Sequence, residues 1–180
     1  MNKLINPIVL IGGALILLLL SSMVFTVDER ERAIKLTLGK ITESDYVPGL
    51  HFKIPLVETV YKFDRRILTL DVKPERVLTN EKKNVIVDSF IKWKIADTET
   101  FYTSLGGVES RANSRLTQFV REGVKDAFGQ RTIREVVSSA RSTLREEIKA
   151  SVDQQAEILG IDIIDVRIKK VELPLSLIHI

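Results

Sequence analysis

The sequence contains no cysteine, two histidines and one tryptophan. Without thiols there are no disulfides, no thiolate zinc site and no cysteine nucleophile. The absence leaves the compartment open, because a periplasmic domain of this size can fold without disulfides. His51 and His179 lie far apart and lack the i, i+4 spacing of a metal-binding helix. Massed charge of one sign is also missing. The 27 basic and 24 acidic residues are spread together for a net charge of +3. That mixture excludes a nucleic-acid face of clustered Lys and Arg, so no nucleic-acid partner is implied. No internal repeat or low-complexity tract is present.

Charge is absent altogether from Leu4 to Val27, which reads LINPIVLIGGALILLLLSSMVFTV. A helix rises about 1.5 Å per residue, so about 20 apolar residues cross a hydrocarbon core roughly 30 Å thick. The spacing predicts a membrane anchor over residues 1–27, with Pro7 in its first turn. A cleavable signal peptide is the rival reading. Its apolar region is about 7 to 15 residues and ends in an A-x-A-like site, whereas this run is longer and Ser21-Ser22-Met23-Val24 makes a poor site. Lys3 precedes the run and Arg30, Arg32, Lys35 and Lys40 follow it, so counting basic residues favours a cytoplasmic domain.

Removing the anchor leaves one ordinary domain, 28–174. Arg32 to Leu38 alternates, with Ile34, Leu36 and Leu38 on one side, which predicts a half-buried strand ended by Gly39. Ile41 to Tyr46 reads as a polar connection and Val47-Pro48-Gly49 as a turn. Leu50, Phe52 and Ile54 are in phase, but Pro48 and Pro55 confine that strand to an edge or a short piece. Leu68 to Val72 and Val85 to Ile95 alternate around the polar stretch Asn80 to Asn84, as neighbouring antiparallel strands do.

After Ala96 the period becomes helical. Asp97 is placed to cap a helix over Thr98 to Leu105, and Gly106-Gly107 breaks it. Ser110 to Phe128 carries Ala112, Leu116, Phe119, Val120, Val124 and Ala127 on one stripe. Thr132 to Val137 is a short helical or irregular link. From Ser139 a longer helix aligns Ala140, Leu144, Ile148, Val152, Ala156 and Leu159, and Gly160 stops it. A last strand, Ile161 to Leu173, changes phase at Lys169-Lys170, which predicts a bulge. Strands, then helices, then a returning strand describe an α+β domain in which helices cover an antiparallel sheet.

Candidate chemistry is sparse. His51 sits in the apolar, proline-bounded strand, where a structural or surface role outweighs that of a base. Gly106-Gly107 lacks the G-x-x-x-x-G-K of a phosphate loop, and Asp162 with Asp165 lacks the ligand spacing of a calcium loop. Ser138-Ser139 forms no readable Ser-Lys dyad, and Ser139 suits a helix cap. No catalytic, cofactor-binding or metal residue is assigned, and an enzyme is not expected.

Val47 to Pro55, VPGLHFKIP, is a proline-glycine turn followed by a hydrophobic, basic, proline-ended strand. It resembles the hallmark of the stomatin/prohibitin/flotillin/HflK-HflC superfamily, also called SPFH or Band 7. Gly49 to Val60 (GLHFKIPLVETV), Asp64 to Asp71 (DRRILTLD), Thr79 to Trp93 (TNEKKNVIVDSFIKW) and Leu159 to Pro174 (LGIDIIDVRIKKVELP) are most similar to its HflC branch. The resemblance implies a non-enzymatic scaffold in the bacterial inner membrane, crossing once. Such chains pair with an HflK-like protein, form large oligomers around the FtsH protease and modulate its access to membrane-protein substrates. It also implies a periplasmic SPFH domain, against the charge count. A stomatin-like organiser of membrane lipids or channels is the alternative, with the apolar Leu50 to Val57 segment resting on a bilayer. After Leu173-Pro174 a family member would enter a long coiled coil, so residues 175–180 read as the atypical end of a truncated chain.

Overall fold

The computed structural model describes residues 11–13, 17–18, 21–137 and 141–172. The chain divides into two compact units, Met1–Arg65 and Arg66–Ile180, where the sequence predicts one domain over 28–174. The division follows the backbone hydrogen bonds. The first five strands pair only among themselves and the last three only among themselves.

In the first unit β1 (Val24–Val27) pairs antiparallel with β4 (Gly49–Phe52). A second sheet has the order β3-β2-β5, with β2 (Glu31–Thr37) between β3 (Lys40–Glu43) and β5 (Glu58–Asp64). Its core is small, made by Val27, Ala33, Ile34, Leu36 and Phe63. Three sequence expectations change here. Val24–Val27, read as the end of the anchor, is a strand whose last residue is buried, so the strand claims the end of the apolar run. Ile41 to Glu43, read as a connection, belongs to β3, because the turn at Leu38-Gly39 folds the polar segment back on β2. Leu38 itself leaves the strand for that turn and is 83% exposed.

Of the predicted anchor, Ile11–Gly13, Leu17–Leu18 and Ser21–Ser22 are helical, and the remainder up to residue 20 lies outside the described residues. Among the described residues no helix is long and apolar enough to cross a membrane.

In the second unit β6 (Leu68–Leu78), β7 (Asn84–Ile95) and β8 (Ile161–Glu172) form an antiparallel sheet in that order. Alternation along β7 is strict, with Val85, Val87, Ser89, Ile91, Trp93 and Ile95 all buried. β6 runs further than predicted, through an irregularity at Lys73-Pro74. A bulge tolerates Pro on an edge strand because it leaves a residue outside the ladder. β8 carries the bulge expected near Lys169 and another opposite Lys92/Trp93.

The helices α1 (Thr98–Leu105), α2 (Glu109–Gly129), α3 (Ile133–Val137) and α4 (Arg141–Glu157) follow the predicted stripes. Asp97 caps α1 by accepting from the Glu99 N–H at 3.0 Å. Leu116, Val120 and Val124 of α2 and Leu144, Ile148 and Val152 of α4 are buried, with α2 packed on β6 and α4 on β8. A side chain of this size contributes about 1.5–3 kcal/mol when fully buried. Gly160, at φ +73°, lets the α4–β8 turn touch α1. A Cβ there would stand 2.5 Å from the Asp97 carbonyl oxygen. Ser138 to Ala140 and residues 173–180 lie outside the described residues, and with them the proposed cap Ser139 and the atypical end.

Candidate functional site

The most unusual surface lies at one end of the first unit. β2 and β5 run from the pair Glu31/Asp64 to the pair Thr37/Glu58, and the loops at the second end gather there. The Leu38 N–H donates to the Val57 carbonyl at 3.1 Å, tying the β2–β3 turn to the β4–β5 loop. The Lys53 N–H donates to the Met23 carbonyl at 2.7 Å, tying that loop to the residue that precedes β1. Val24 pairs with Phe52. Leu38, Phe52, Ile54 and Leu56 are therefore gathered at this end, and all are exposed, Leu56 by 99%. Large apolar side chains exposed together at one end are a candidate interaction site. The in-phase pattern of Leu50, Phe52 and Ile54 was legible in the sequence, but the alternation places these residues outward, along β4 and just beyond it.

The geometry of the loop is held by charge. The Glu58 carboxylate accepts the Ile54 N–H at 2.7 Å, and the Glu58 N–H donates to the Ile54 carbonyl at 3.0 Å. The Lys35 Nζ lies 3.4 Å from Glu58 and 3.0 Å from Glu43, bridging the two outer strands across β2. The Ile54 N–H holds the Glu58 carboxyl below the usual range, aided by the charge of Lys35 and opposed by desolvation. The Lys35 ammonium is raised, first by its hydrogen bond to Glu43. Tyr46 donates to Glu43, and its ring lies 5.9 Å from the Lys35 Nζ. No local pattern signals this cluster, since its members come from β2, β3, β5 and a connection.

The other residues singled out in the sequence are placed as follows. His51 is half-buried, its Nε2 2.7 Å from the Val47 carbonyl oxygen, with its ring against Tyr46 and Phe25 at 4.8 and 5.6 Å. Gly106 is the left-handed C-cap of α1 and donates to the Tyr102 carbonyl. Asp162 pairs with Lys94 at 3.0 Å and Asp165 with Arg167 at 2.7 Å. Asp97, Asp153, Glu157 and Asp162 line a cavity of about 570 Å³. Asp97 is committed to its cap and Asp153 accepts the Ile163 N–H at 3.0 Å. Among the described residues no group of three or more His, Asp or Glu is arranged to hold a metal. His179 and Ser138-Ser139 lie outside the described residues.

The sequence comparisons converge on one family. Residues 25–180 match the SPFH domain / Band 7 family, and the chain belongs to that family. It is 38% identical to Protein HflC of Haemophilus influenzae, over 97% of this chain and 61% of the relative. It is 35% identical to Protein HflC of Buchnera aphidicola subsp. Schizaphis graminum, over 95% of this chain and 62% of the relative. It is 32% identical to a protein of Escherichia coli K12 named Modulator of FtsH protease HflC, over 97% of this chain and 65% of the relative. The chain thus spans under two thirds of the length of these relatives.

Proposed function

We propose that this chain is an HflC-like, non-enzymatic modulator of an FtsH-type membrane protease, working in an oligomer with an HflK-like partner. The observation that carries the reading is the similarity to HflC proteins along nearly the whole chain, one of them named for modulating FtsH. The part of the uncharged run that precedes β1 anchors it by a single span in a bacterial inner membrane, and the SPFH domain faces the periplasm. The uncharged run from Leu4 to Val27 supports the anchor. Crosslinking and affinity purification of the parent protein from its native membrane, with protease protection in the same vesicles, tests all of it. Recovery of an HflK-like protein and FtsH, with the domain protected on the periplasmic side, is expected. A cytoplasmic domain recovered with neither partner would overturn the reading.

The exposed apolar end of the first unit favours a second reading, a stomatin-like organiser of membrane lipids or channels. It predicts that the protein changes the lipid composition of the membrane purified around it. The protease reading predicts instead a change in FtsH-dependent turnover.

A further inference from the structure

We propose that the corner between α1 and α2 is a binding site for a small phosphate monoester, held by the guanidinium groups of Arg111 and Arg115 with the hydroxyls of Ser104 and Ser110. The site belongs to the second unit, and its chemistry is independent of the protease and lipid readings above.

The end of α1 and the first turns of α2 enclose a cavity of about 460 Å³. Ser104, Ser110, Arg111, Ser114, Arg115 and Gln118 line it, and no carboxylate does. A helix turns once in 3.6 residues, so Arg111, Arg115 and Gln118 share one side of α2. Glu109, the acidic residue of the first turn, falls on the other side. Glu122, the next carboxylate along the shared side, accepts from the Gln118 amide at 3.0 Å. Arg121 is paired with Glu75 at 2.9 Å, whereas Arg111 and Arg115 have no carboxylate partner among the described residues. Two like charges at this spacing repel, and an anion between them removes the repulsion.

Arg111 is already positioned. Its Nη1 donates to the Leu105 carbonyl at 3.3 Å, and a Cβ on Gly106 would stand 2.8 Å from that same nitrogen. The Gly106-Gly107 pair lacks the sequence of a backbone phosphate loop, and the contribution of Gly106 here is room for a side chain. Arg115 stands one turn further on, a spacing that sets Cβ atoms about 5–6 Å apart. A guanidinium takes an oxyanion through two parallel N–H···O bonds. A carboxylate offers one edge for such a pair. A phosphate monoester offers three oxygens, hence an edge for each arginine, and its charge of nearly −2 matches the two cations. The Ser114 hydroxyl donates to the Ser110 carbonyl at 2.9 Å, which leaves those of Ser104 and Ser110 to donate to the third oxygen. Cavities of about 300–1,000 Å³ hold whole small molecules, so this one has room for the group that carries the phosphate.

The test is calorimetric titration of the full chain in a zwitterionic detergent with glycerol 3-phosphate, inorganic phosphate and acetate. Glycerol 3-phosphate is expected to bind more tightly than inorganic phosphate and about 10-fold more tightly than acetate. Arg111→Gln and Arg115→Gln are each expected to weaken its binding about 10-fold, and Arg121→Gln to leave it unchanged. Arg115→Lys keeps the charge and loses the planar fork, so it is expected to bind as weakly as Arg115→Gln. Arg111 and Arg115 are both exposed, and the fluorescence of buried Trp93 in urea checks that each variant is folded. Binding that survives both glutamine substitutions, or that falls as far in Arg121→Gln, overturns the site. Full affinity in Arg115→Lys overturns the paired contact. Acetate binding as tightly overturns the choice of phosphate, and inorganic phosphate binding as tightly overturns the ester. A dissociation constant weaker than about 10 mM for every probe overturns the whole proposal.

Discussion

The two units use similar strand patterns to opposite ends. In the second, the alternating face of β7 is buried, and the stripes of α2 and α4 are buried where these helices pack on β6 and β8. In the first, alternation at Leu50, Phe52 and Ile54 is as regular, yet these residues are 62%, 67% and 55% exposed. The difference lies in the partners available. Amphipathic helices follow β7 in the chain and fold back on its sheet, whereas the first unit has only short strands and turns beyond the predicted anchor. Alternation states which residues share a face, and the neighbouring elements decide whether that face is covered.

Substitutions can break this contrast at several levels. Leu144→Ala, in the fully buried stripe of α4, is expected to cost about 2–5 kcal/mol in urea unfolding followed by the fluorescence of buried Trp93. A cost below about 1 kcal/mol would mean that the second unit is packed as loosely as the first. Gly160→Ala brings both left-handed strain and a clash with the Asp97 carbonyl, so a loss of about 2 kcal/mol or more is expected by the same measurement.

Glu58→Gln sharpens the comparison from the other side, because the first unit depends on charge where the second depends on burial. The folded Glu58 carboxyl titrates below its ordinary value. Its contribution is therefore present above that value and lost as pH falls through the lower, folded one. Amide exchange of Ile54 should be faster in the variant at neutral pH, and the two proteins should converge in acid. A difference that persists unchanged in acid would remove the carboxylate from the account. The smallest effect is expected for Leu56→Ser, within about 0.5 kcal/mol in unfolding, since the side chain is exposed. A larger loss would show that Leu56 packs against the protein.

The sequence by itself determined the uncharged run, the α1 cap at Asp97, the stripes of α2 and α4, the paired β6 and β7 and the bulge near Lys169. Each is a local pattern of period, cap or turn, readable within a few residues. The Band 7 resemblance was equally legible, because its motifs are runs of adjacent residues. Only the tertiary structure decided that Val24–Val27 is a strand, that Lys40–Glu43 pairs back on β2, and that the chain divides at Arg65. It also decided that Lys35 joins Glu43 to Glu58 and that two leucines stand at turn tips. These features depend on which strand lies beside which, and hydrogen bonds and ion pairs across strands are made between residues that no local period connects.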